Sequence, residues 1–195
     1  MLRVALTGGA ATGKSYVLDR LRRAGVPTLV ADDLAHGVTA GGTEATAAIA
    51  ARFGDEVIAA DGAVDRAVLG AIVFADAAAR RDLEAIVHPA VYRAIEAGMR
   101  GFEKAGDSLA VVEIPLLYES GRASDFDHVI VTACSEENQL GRLRARGLSE
   151  ERSRQILAAQ TPTAEKTAKA DFVISTDGSR SETDAQVRDV LSKLR

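Results

Sequence analysis

The chain has 195 residues, about the size of one ordinary domain with at most one or two inserted subdomains. Hydrophobic residues make up 47% of it and charged residues 27%, which disfavours disorder, and no stretch approaches the ~20 apolar residues that cross a bilayer. The net charge of −4 disfavours nucleic acid as a partner, because proteins that bind phosphate backbones are normally basic.

The first part of the chain alternates between apolar runs and a helical pattern. Val4-Ala5-Leu6 predicts a strand, and residues 14–24 predict a helix with one apolar face. Gly25 and Pro27 end that helix, and residues 28–31 predict a second strand. Strand, helix and strand in this order are typical of an α/β protein.

Three later apolar runs complete the predicted sheet: residues 109–114, 128–132 and 172–174. Their near-continuous apolar character, without alternation, is typical of strands that helices cover on both faces of a parallel sheet. The sequence therefore predicts an α/β fold with right-handed crossovers.

Two regions interrupt this alternation. Residues 33–106 are rich in alanine and look helical, with breaks at Gly41-Gly42, Asp61-Gly62 and Pro89, and they contain no convincing pair of strands. Because the region is too long for a plain crossover, we interpret it as a helical insertion beside the sheet. Residues 135–169 predict two more helical stretches, rich in Arg and Glu.

Cys134 is the single cysteine, so it cannot form an internal disulfide. Its place beside an apolar run favours a buried thiol over a nucleophile. The N-terminal residues run straight into Thr7-Gly8-Gly9 and lack the layout of a signal peptide. With no membrane-spanning run, these features favour a soluble, cytoplasmic protein.

Residues 8–15 read Gly8-Gly9-Ala10-Ala11-Thr12-Gly13-Lys14-Ser15, which is the phosphate-binding P-loop pattern, and they lie between an apolar strand and an amphipathic helix. Gly8 and Gly13 allow the backbone to turn its N–H groups toward an anion, and the helix N-terminus adds partial positive charge. Lys14 can reach the β- and γ-phosphates, and the Ser15 hydroxyl can ligate Mg²⁺. The pattern predicts a nucleotide site rather than a plain glycine-rich turn.

Several classes of protein carry a P-loop. A GTPase switch is disfavoured, because no Asp-x-x-Gly occurs and the single Asn, Asn138, does not begin an Asn-Lys-x-Asp motif. A motor-type ATPase is disfavoured because the chain is small and its only Walker B candidate, Val111-Val112-Glu113, is weak. A small-molecule kinase remains favoured, since it needs the loop, an acceptor pocket, an oriented hydroxyl and a cationic cover.

Asp32 directly follows the predicted second strand, so we expect it at the carboxyl edge of the sheet near the P-loop, where α/β proteins bind ligands. There a carboxylate can orient an attacking hydroxyl or accept its proton. The alternative is an N-cap for a helix that begins at Asp33, and Asp33 would serve as a cap as well. Position alone makes the two roles about equal.

The predicted helices after residue 135 carry several arginines. Arg142 and Arg146 are four residues apart, so they share a helix face that can close over transferring phosphoryl oxygens. The alternative is a solvated face on which arginines pair with the nearby glutamates, and it is favoured for the other arginines here, Arg144, Arg152 and Arg154.

An ordered set of motifs adds to this interpretation. It comprises Leu6-Thr7-Gly8-Gly9 with Gly13-Lys14-Ser15, Ala31-Asp32 with Ala35-His36, Asp65-Arg66, His88-Pro89, Pro115-Leu116-Leu117-Tyr118-Glu119, Gln139 with Arg142 and Arg146, Gln160 with Lys166, and Ala170-Asp171-Phe172-Val173-Ile174. In this order and at these separations the chain resembles the dephospho-CoA kinase family, from about Val4 to Gly178. The P-loop alone is shared by many families, whereas the whole set is far more specific.

The resemblance implies a P-loop NTPase-type parallel sheet flanked by helices, with a helical acceptor-binding insertion and a helical lid. It implies transfer of the ATP γ-phosphoryl group to the ribose 3′-hydroxyl of dephospho-CoA, with Mg²⁺, as the final step of coenzyme A synthesis. The three implied parts are a nucleotide-binding core (1–32, 107–134 and 170–195), a CoA-binding domain (33–106) and a lid (135–169).

The resemblance also implies roles for individual residues. The catalytic residues are expected to be Asp32, Lys14 and Arg142, with the Ser15 hydroxyl on Mg²⁺. ATP is expected to contact Gly8, Gly9, Ala11, Thr12, Gly13, Lys14, Ser15, Tyr16, Arg142 and Arg146. The acceptor is expected to contact Asp32, His88, Leu116 and Glu119. From the sequence alone, His88-Pro89 reads equally well as a corner that breaks a helix.

The chain departs from the family pattern at three places. Ala10-Ala11 stands where Ile-Gly is usual, and phosphate binding should survive this change unless position 11 needs a positive φ. Val30 replaces the first Asp of an Asp-Ala-Asp motif. Ser175-Thr176 stands where Asp-Asn is common, which leaves an adenine contact there in doubt. A nucleoside or nucleotide kinase with a smaller acceptor and a non-catalytic ATP-sensing module remain as alternatives.

Overall fold

The apolar runs of the sequence form one five-stranded sheet in the computed structural model, which describes all 195 residues. The strands are β1 (Leu2–Gly8), β2 (Thr28–Val30), β3 (Leu109–Glu113), β4 (His128–Ala133) and β5 (Phe172–Ser175), in the order β2-β3-β1-β4-β5. Pairings β1–β3, β1–β4 and β4–β5 are parallel. The α/β prediction is therefore confirmed, and the strand that leads into residues 8–15 occupies the centre of the sheet.

Nine α-helices accompany the strands. They are α1 (Lys14–Arg23), α2 (Ala31–Val38), α3 (Glu44–Phe53), α4 (Arg66–Ala75), α5 (Ala77–Lys104), α6 (Glu136–Ala145), α7 (Glu150–Ala158), α8 (Thr163–Ala168) and α9 (Arg180–Leu194). No helix among them is long and apolar enough to span a membrane.

The chain forms two units, one of residues 1–29 and 101–195 and one of residues 30–100. The first unit contains β1, β3, β4, β5 and the first two residues of β2, and the side chains of Val4, Ala5 and Leu6 in β1 are fully buried. Helix α1 buries the apolar face predicted from the sequence, and α9 begins at a capping box formed by Ser179 and Glu182. The core of this unit therefore surrounds the central strand.

Region 135–169 has three helices, where the sequence predicted two helical stretches. Pro162 lies between α7 and α8 and is the N-cap of α8. A proline lacks the N–H that a continuing helix would use and disfavours a helical conformation in the residue before it, and both effects favour the break between α7 and α8.

The second unit is helical, as expected, and its strand-like contact is a single bridge between Ile58 and Val64. Ile49, Phe53, Val57 and Leu69 belong to its buried core. The breaks at Gly41-Gly42 and Asp61-Gly62 are confirmed.

The break predicted at Pro89 is wrong, because Pro89 lies inside the 28-residue helix α5. The actual break is at Asp76, whose side chain accepts a hydrogen bond from the Ala78 N–H at the start of α5. An interior proline costs about 3 kcal/mol locally. The helix continues because apolar residues on both sides of Pro89, among them Ala79 and Ile95, are buried.

Candidate active site

Residues 8–15 link β1 to α1, in the arrangement predicted from the sequence. Gly8 ends β1, and a Cβ at this position would lie 2.4 Å from the Thr132 hydroxyl oxygen. Gly13 is the N-cap of α1 and has a left-handed backbone with φ of 90°. Both glycines are therefore required by the turn itself, one for space and the other for conformation.

Ala11 is the only residue other than glycine with a positive φ, at 58°. A left-handed conformation costs an alanine roughly 1–2 kcal/mol relative to the right-handed one. The sequence predicts that the Ala10-Ala11 departure is harmless unless position 11 needs a positive φ. Position 11 does take a positive φ, and this chain has an alanine there. The loop backbone is consequently strained at Ala11, and contacts from neighbouring residues must stabilise this conformation.

Lys14 and Ser15 stand at the start of α1. The Lys14 ammonium donates hydrogen bonds to the Gly8 carbonyl at 2.9 Å and to the Gly9 carbonyl at 3.0 Å, so its side chain folds back over the loop. The side chain of Ser15 is exposed. The N–H groups of the first turn have no intrahelical acceptor, and the helix dipole adds positive potential there. This end of α1 can therefore bind an anion.

Two buried threonines, Thr132 and Thr176, bond to Thr12 in the middle of the loop. The Thr12 hydroxyl donates to the Gly9 carbonyl at 2.9 Å and lies 2.8 Å from the Thr132 hydroxyl on β4. The Thr176 hydroxyl, just after β5, donates to the Thr12 carbonyl at 2.9 Å. Thr176, one of the departures from the family pattern, therefore contacts the loop backbone.

Arg142, on α6, lies against the loop. One guanidinium nitrogen donates to the carbonyl of Ala11 at 3.0 Å and to the hydroxyl of Thr176 at 2.9 Å, and the other donates to the carbonyl of Thr176 at 2.5 Å. The same guanidinium is 3.4 Å from the sulfur of Cys134. Burial raises the pKa of that thiol above its ordinary value despite the nearby arginine, and the buried thiol predicted from the sequence is confirmed.

Arg146 does not join Arg142 at the loop. It is the C-cap residue of α6, and its exposed side chain makes no hydrogen bond or ion pair. Other arginines of this region pair with glutamates: Arg154 lies 2.8 Å from Glu150 and 3.7 Å from Glu136. The solvated-face interpretation is confirmed for Arg154.

Two glutamines that the sequence analysis gave no role also reach the loop. The side-chain amide of Gln139, on α6, donates to the Ala10 carbonyl at 2.7 Å, and the amide oxygen of Gln160 accepts from the Ala10 N–H at 2.8 Å. Both glutamines, with Gly9, line a cavity of about 620 Å³ between the loop and helices α6–α8. Their spacing in the sequence carries no signal for this, because their partners are backbone groups.

Glu119 follows β3 and is bound within the protein. Its Oε1 accepts from the Thr161 N–H at 2.9 Å and lies 2.8 Å from the ammonium of Lys166, a side chain that is fully buried. Desolvation acts to raise the pKa of Glu119, but the ammonium and the backbone N–H outweigh it and hold the pKa below its usual value. Leu116, in the same segment, is 48% exposed.

Tyr16 points its hydroxyl to α9, where it donates to Asp184 at 2.8 Å. The guanidinium groups of Arg20 and Arg180 lie 4.6 Å and 5.6 Å from the centre of its ring. The side chain of Tyr16 is thus engaged by cationic and acidic partners of its own unit.

In the second unit, Asp32 and Asp33 are exposed and belong to the first turn of α2, whose N-cap is Val30. Neither aspartate caps the helix, so the capping interpretation is wrong: α2 begins at Ala31, two residues before the helix start at Asp33 that this interpretation required. His88 is an exposed residue within α5, and the helix-breaking corner is likewise wrong.

A cavity of about 230 Å³ in the same unit is lined mainly by apolar side chains together with Thr39 and Arg66. Arg66 donates to the ring nitrogen of His36 at 3.0 Å and to the Thr39 hydroxyl at 3.0 Å. His36 therefore has a structural partner in Arg66.

Comparisons with known proteins agree on one family. The family model of dephospho-CoA kinase matches residues 2–182. The chain is 42% identical to a dephospho-CoA kinase of Geobacillus kaustophilus over 193 residues, covering 98% of this chain and 96% of the relative, and 44% identical to one of Anaeromyxobacter dehalogenans, covering 98% and 92%.

Solved structures also resemble this chain. A Thermus thermophilus protein superposes with a TM-score of 0.83 at 32% identity, covering 100% of this chain and 98% of that one. Dephospho-CoA kinase from Campylobacter jejuni gives 0.74 at 28% identity, covering 98% and 96%. A shikimate kinase from Acinetobacter baumannii, at 0.52 and 15% identity, covering 100% and 93%, shares the fold alone.

Proposed function

The chain belongs to the dephospho-CoA kinase family, and on that premise we propose that it transfers the γ-phosphoryl group of ATP to the ribose 3′-hydroxyl of dephospho-CoA, giving ADP and CoA. The observation that carries the proposal is the loop of residues 8–15 at the end of the central strand, with Lys14 folded over it and the N-terminus of α1 behind it. This is a site for the polyphosphate of a nucleotide.

The donor residues have distinct tasks in this proposal. The loop N–H groups and the helix N-terminus bind the phosphates, and Lys14 exchanges its bonds to the Gly8 and Gly9 carbonyls for β- and γ-phosphate oxygens. The proposed ATP contacts are those expected from the sequence. Among them, the Tyr16 hydroxyl already bonds Asp184, and no bond directs the exposed Arg146 side chain toward the loop.

The residues present fit a magnesium ion that is held mainly by phosphates and water. Ser15 offers an exposed hydroxyl in the first turn of α1, and Glu113 offers a buried carboxylate at the end of β3, the strand next to β1. No group of three or more His, Cys, Asp or Glu side chains forms a complete protein cage. Mg²⁺, which prefers oxygen ligands and keeps several waters, would neutralise charge on the phosphate oxygens there.

Asp32 is proposed to orient the ribose hydroxyl and accept its proton. It lies two residues after the end of β2, its side chain is exposed, and the structure gives it no hydrogen bond or ion pair. The transition state of phosphoryl transfer is loose, so positioning of this hydroxyl matters more than the strength of the base.

Arg142 is proposed to stabilise charge on the transferring group from its position beside Ala11 and Thr176. Residues 135–169, which carry it, act as the lid. Residues 33–106 are proposed to bind the acceptor, and His88, Leu116 and Glu119 are proposed to contact it. Glu119 can offer its second carboxylate oxygen, Oε2, because Oε1 already serves Lys166 and Thr161.

An acceptor panel tests the proposed function. The protein is incubated with ATP and Mg²⁺ and with dephospho-CoA, AMP, adenosine or no acceptor, and the products are identified by mass spectrometry. We expect ADP and CoA with dephospho-CoA only, and no turnover by Lys14→Ala with any acceptor. Phosphorylation of AMP or adenosine in preference would identify a nucleotide or nucleoside kinase, and ATP binding without transfer would identify a sensing module.

A further inference from the structure

Two side-chain amides bind the backbone of Ala10, one as a hydrogen-bond donor and the other as an acceptor. The carbonyl of Ala10 accepts from Gln139 at 2.7 Å, and its N–H donates to Gln160 at 2.8 Å. A backbone carbonyl can only accept and an N–H can only donate, so the orientation of each amide is fixed by its partner. Gln139 must therefore supply a donor, and Gln160 an acceptor.

Both glutamines are held firmly. Gln139 is 5% exposed on α6, and its amide nitrogen lies so close to Gly9 that a Cβ there would be 2.9 Å away. Gln160 lies in the linker between α7 and α8, and the next residue, Thr161, donates its N–H to the Glu119 carboxylate. That carboxylate is paired with the fully buried Lys166. The linker is thus tied to the segment that follows β3.

The contacts fall at the point where the loop is strained. Ala11, the next residue, has the positive φ of 58°, and its carbonyl accepts from Arg142. A strained conformation persists only where the surroundings determine it. Fixing the carbonyl and N–H of Ala10 leaves the backbone before Ala11 little freedom to relax, so the two amides help to maintain the turn that leads to Gly13 and α1.

We propose that Gln139 and Gln160 are positioning residues for donor binding. They hold the backbone of residues 10 and 11 in the conformation that aims the following N–H groups and Lys14 at the phosphates of ATP. This role rests on the proposed function, since it concerns the ATP site of that reaction. Because the glutamines act on the loop, their loss affects ATP and leaves binding of dephospho-CoA unchanged.

A pair of isosteric charge variants tests the role, with ATP binding measured by calorimetry. Gln139→Glu and Gln160→Glu each place one negative charge at the same residue of the loop, so any general repulsion of ATP is shared. A glutamate at 160 still accepts from the Ala10 N–H, whereas a glutamate at 139 faces the Ala10 carbonyl with no donor. We expect the Kd for ATP to rise at least tenfold in Gln139→Glu and less than threefold in Gln160→Glu.

Equal Kd values for the two variants would overturn the positioning role. Failure of the wild-type protein to bind ATP would instead overturn the proposed function. Should Gln139→Glu not fold, Gln139→Met removes the donor without adding charge. It should raise the Kd for ATP about fivefold, which is equivalent to one hydrogen bond of about 1 kcal/mol. An unchanged Kd in this variant would contradict the positioning role. In turnover assays of the folded variants, KM for ATP should rise while KM for dephospho-CoA stays within twofold, and a rise in both would indicate general structural damage.

Discussion

The loop of residues 8–15 and the helical unit of residues 30–100 differ in how their polar groups are bonded. Loop groups are bonded by buried or partly buried side chains from several segments, among them Thr132, Gln139 and Thr176. The candidate residues of the helical unit, Asp32 and His88, are exposed and make no hydrogen bond. The fold itself therefore shapes the donor site, whereas the exposed groups are available for a substrate and contribute little to stability.

The largest expected effect is on Asp32. Asp32→Asn should lower kcat by about 10²–10⁴-fold, the range for loss of a general base, while ATP binding and thermal stability persist because the side chain is exposed and unbonded. Asp33→Asn is the matched control, since Asp33 is the adjacent exposed carboxylate of the same helical turn. Steady-state kinetics that show full turnover by Asp32→Asn, or equal losses in both variants, would remove Asp32 from the chemistry.

Arg142 is the next test, because it belongs to the bonded loop and is also proposed to act on the substrate. Arg142→Ala should lose about 2–4 kcal/mol of transition-state stabilisation, seen mainly in kcat. Arg152→Ala serves as the control, since Arg152 is exposed and bonds only its helix neighbour Gln155. An unchanged kcat in Arg142→Ala would show that this arginine only stabilises the loop structure and does not act on the substrate.

Glu119 and Lys166 test how much a buried ion pair of the first unit contributes to stability. Glu119→Gln should lower the free energy of unfolding by about 3 kcal/mol, because it leaves the fully buried ammonium of Lys166 without a counter-charge. Lys166→Met should cost less, since Glu119 keeps the Thr161 N–H and its side chain is 22% exposed to water. Urea unfolding gives both values, and a larger loss in Lys166→Met would contradict this account.

The same pair has a pH dependence of definite sign. The pKa of Glu119 is lowered by folding, so its contribution is present above the ordinary carboxyl value of about 4.3 and is lost as pH falls through the lower value of the folded state. Below pH 5, the free energy of unfolding, measured by urea titration at each pH, should therefore fall less steeply with decreasing pH for Glu119→Gln than for the wild-type protein.

The smallest expected effect is at Ala11. Ala11→Gly removes a left-handed alanine and should stabilise the protein by about 1 kcal/mol, which raises Tm by roughly 2–4 °C in a chain of this length. Ala10→Gly is the control, because Ala10 has no positive φ and a glycine there only adds freedom to the unfolded chain. A lower Tm in Ala11→Gly would show that the loop is not strained at this residue.

Much of the fold could be predicted because its signals are local. Apolar runs without alternation predicted the five strands, and Gly25 with Pro27 correctly ended α1. The break predicted at Pro89 was wrong because burial of the α5 face on both sides outweighs the local cost of one proline. The start of α2 at Ala31 likewise placed Asp32 inside the helix, where no cap can form.

The sequence by itself determined the loop, its lysine and its place between β1 and α1, since these depend on residue types at fixed spacing along a continuous stretch of chain. Only the tertiary structure decided which side chains hold that loop: Gln139, Gln160, Arg142 and Thr176 come from segments more than 120 residues away. The motif set includes Gln139, Arg142 and Gln160, but their bonds go to backbone carbonyls and N–H groups, which nearly every residue carries, so the sequence does not show that these side chains bind the loop. The strain at Ala11 could not be predicted from the sequence either, because an alanine has a conformational cost there only when the fold imposes a positive φ.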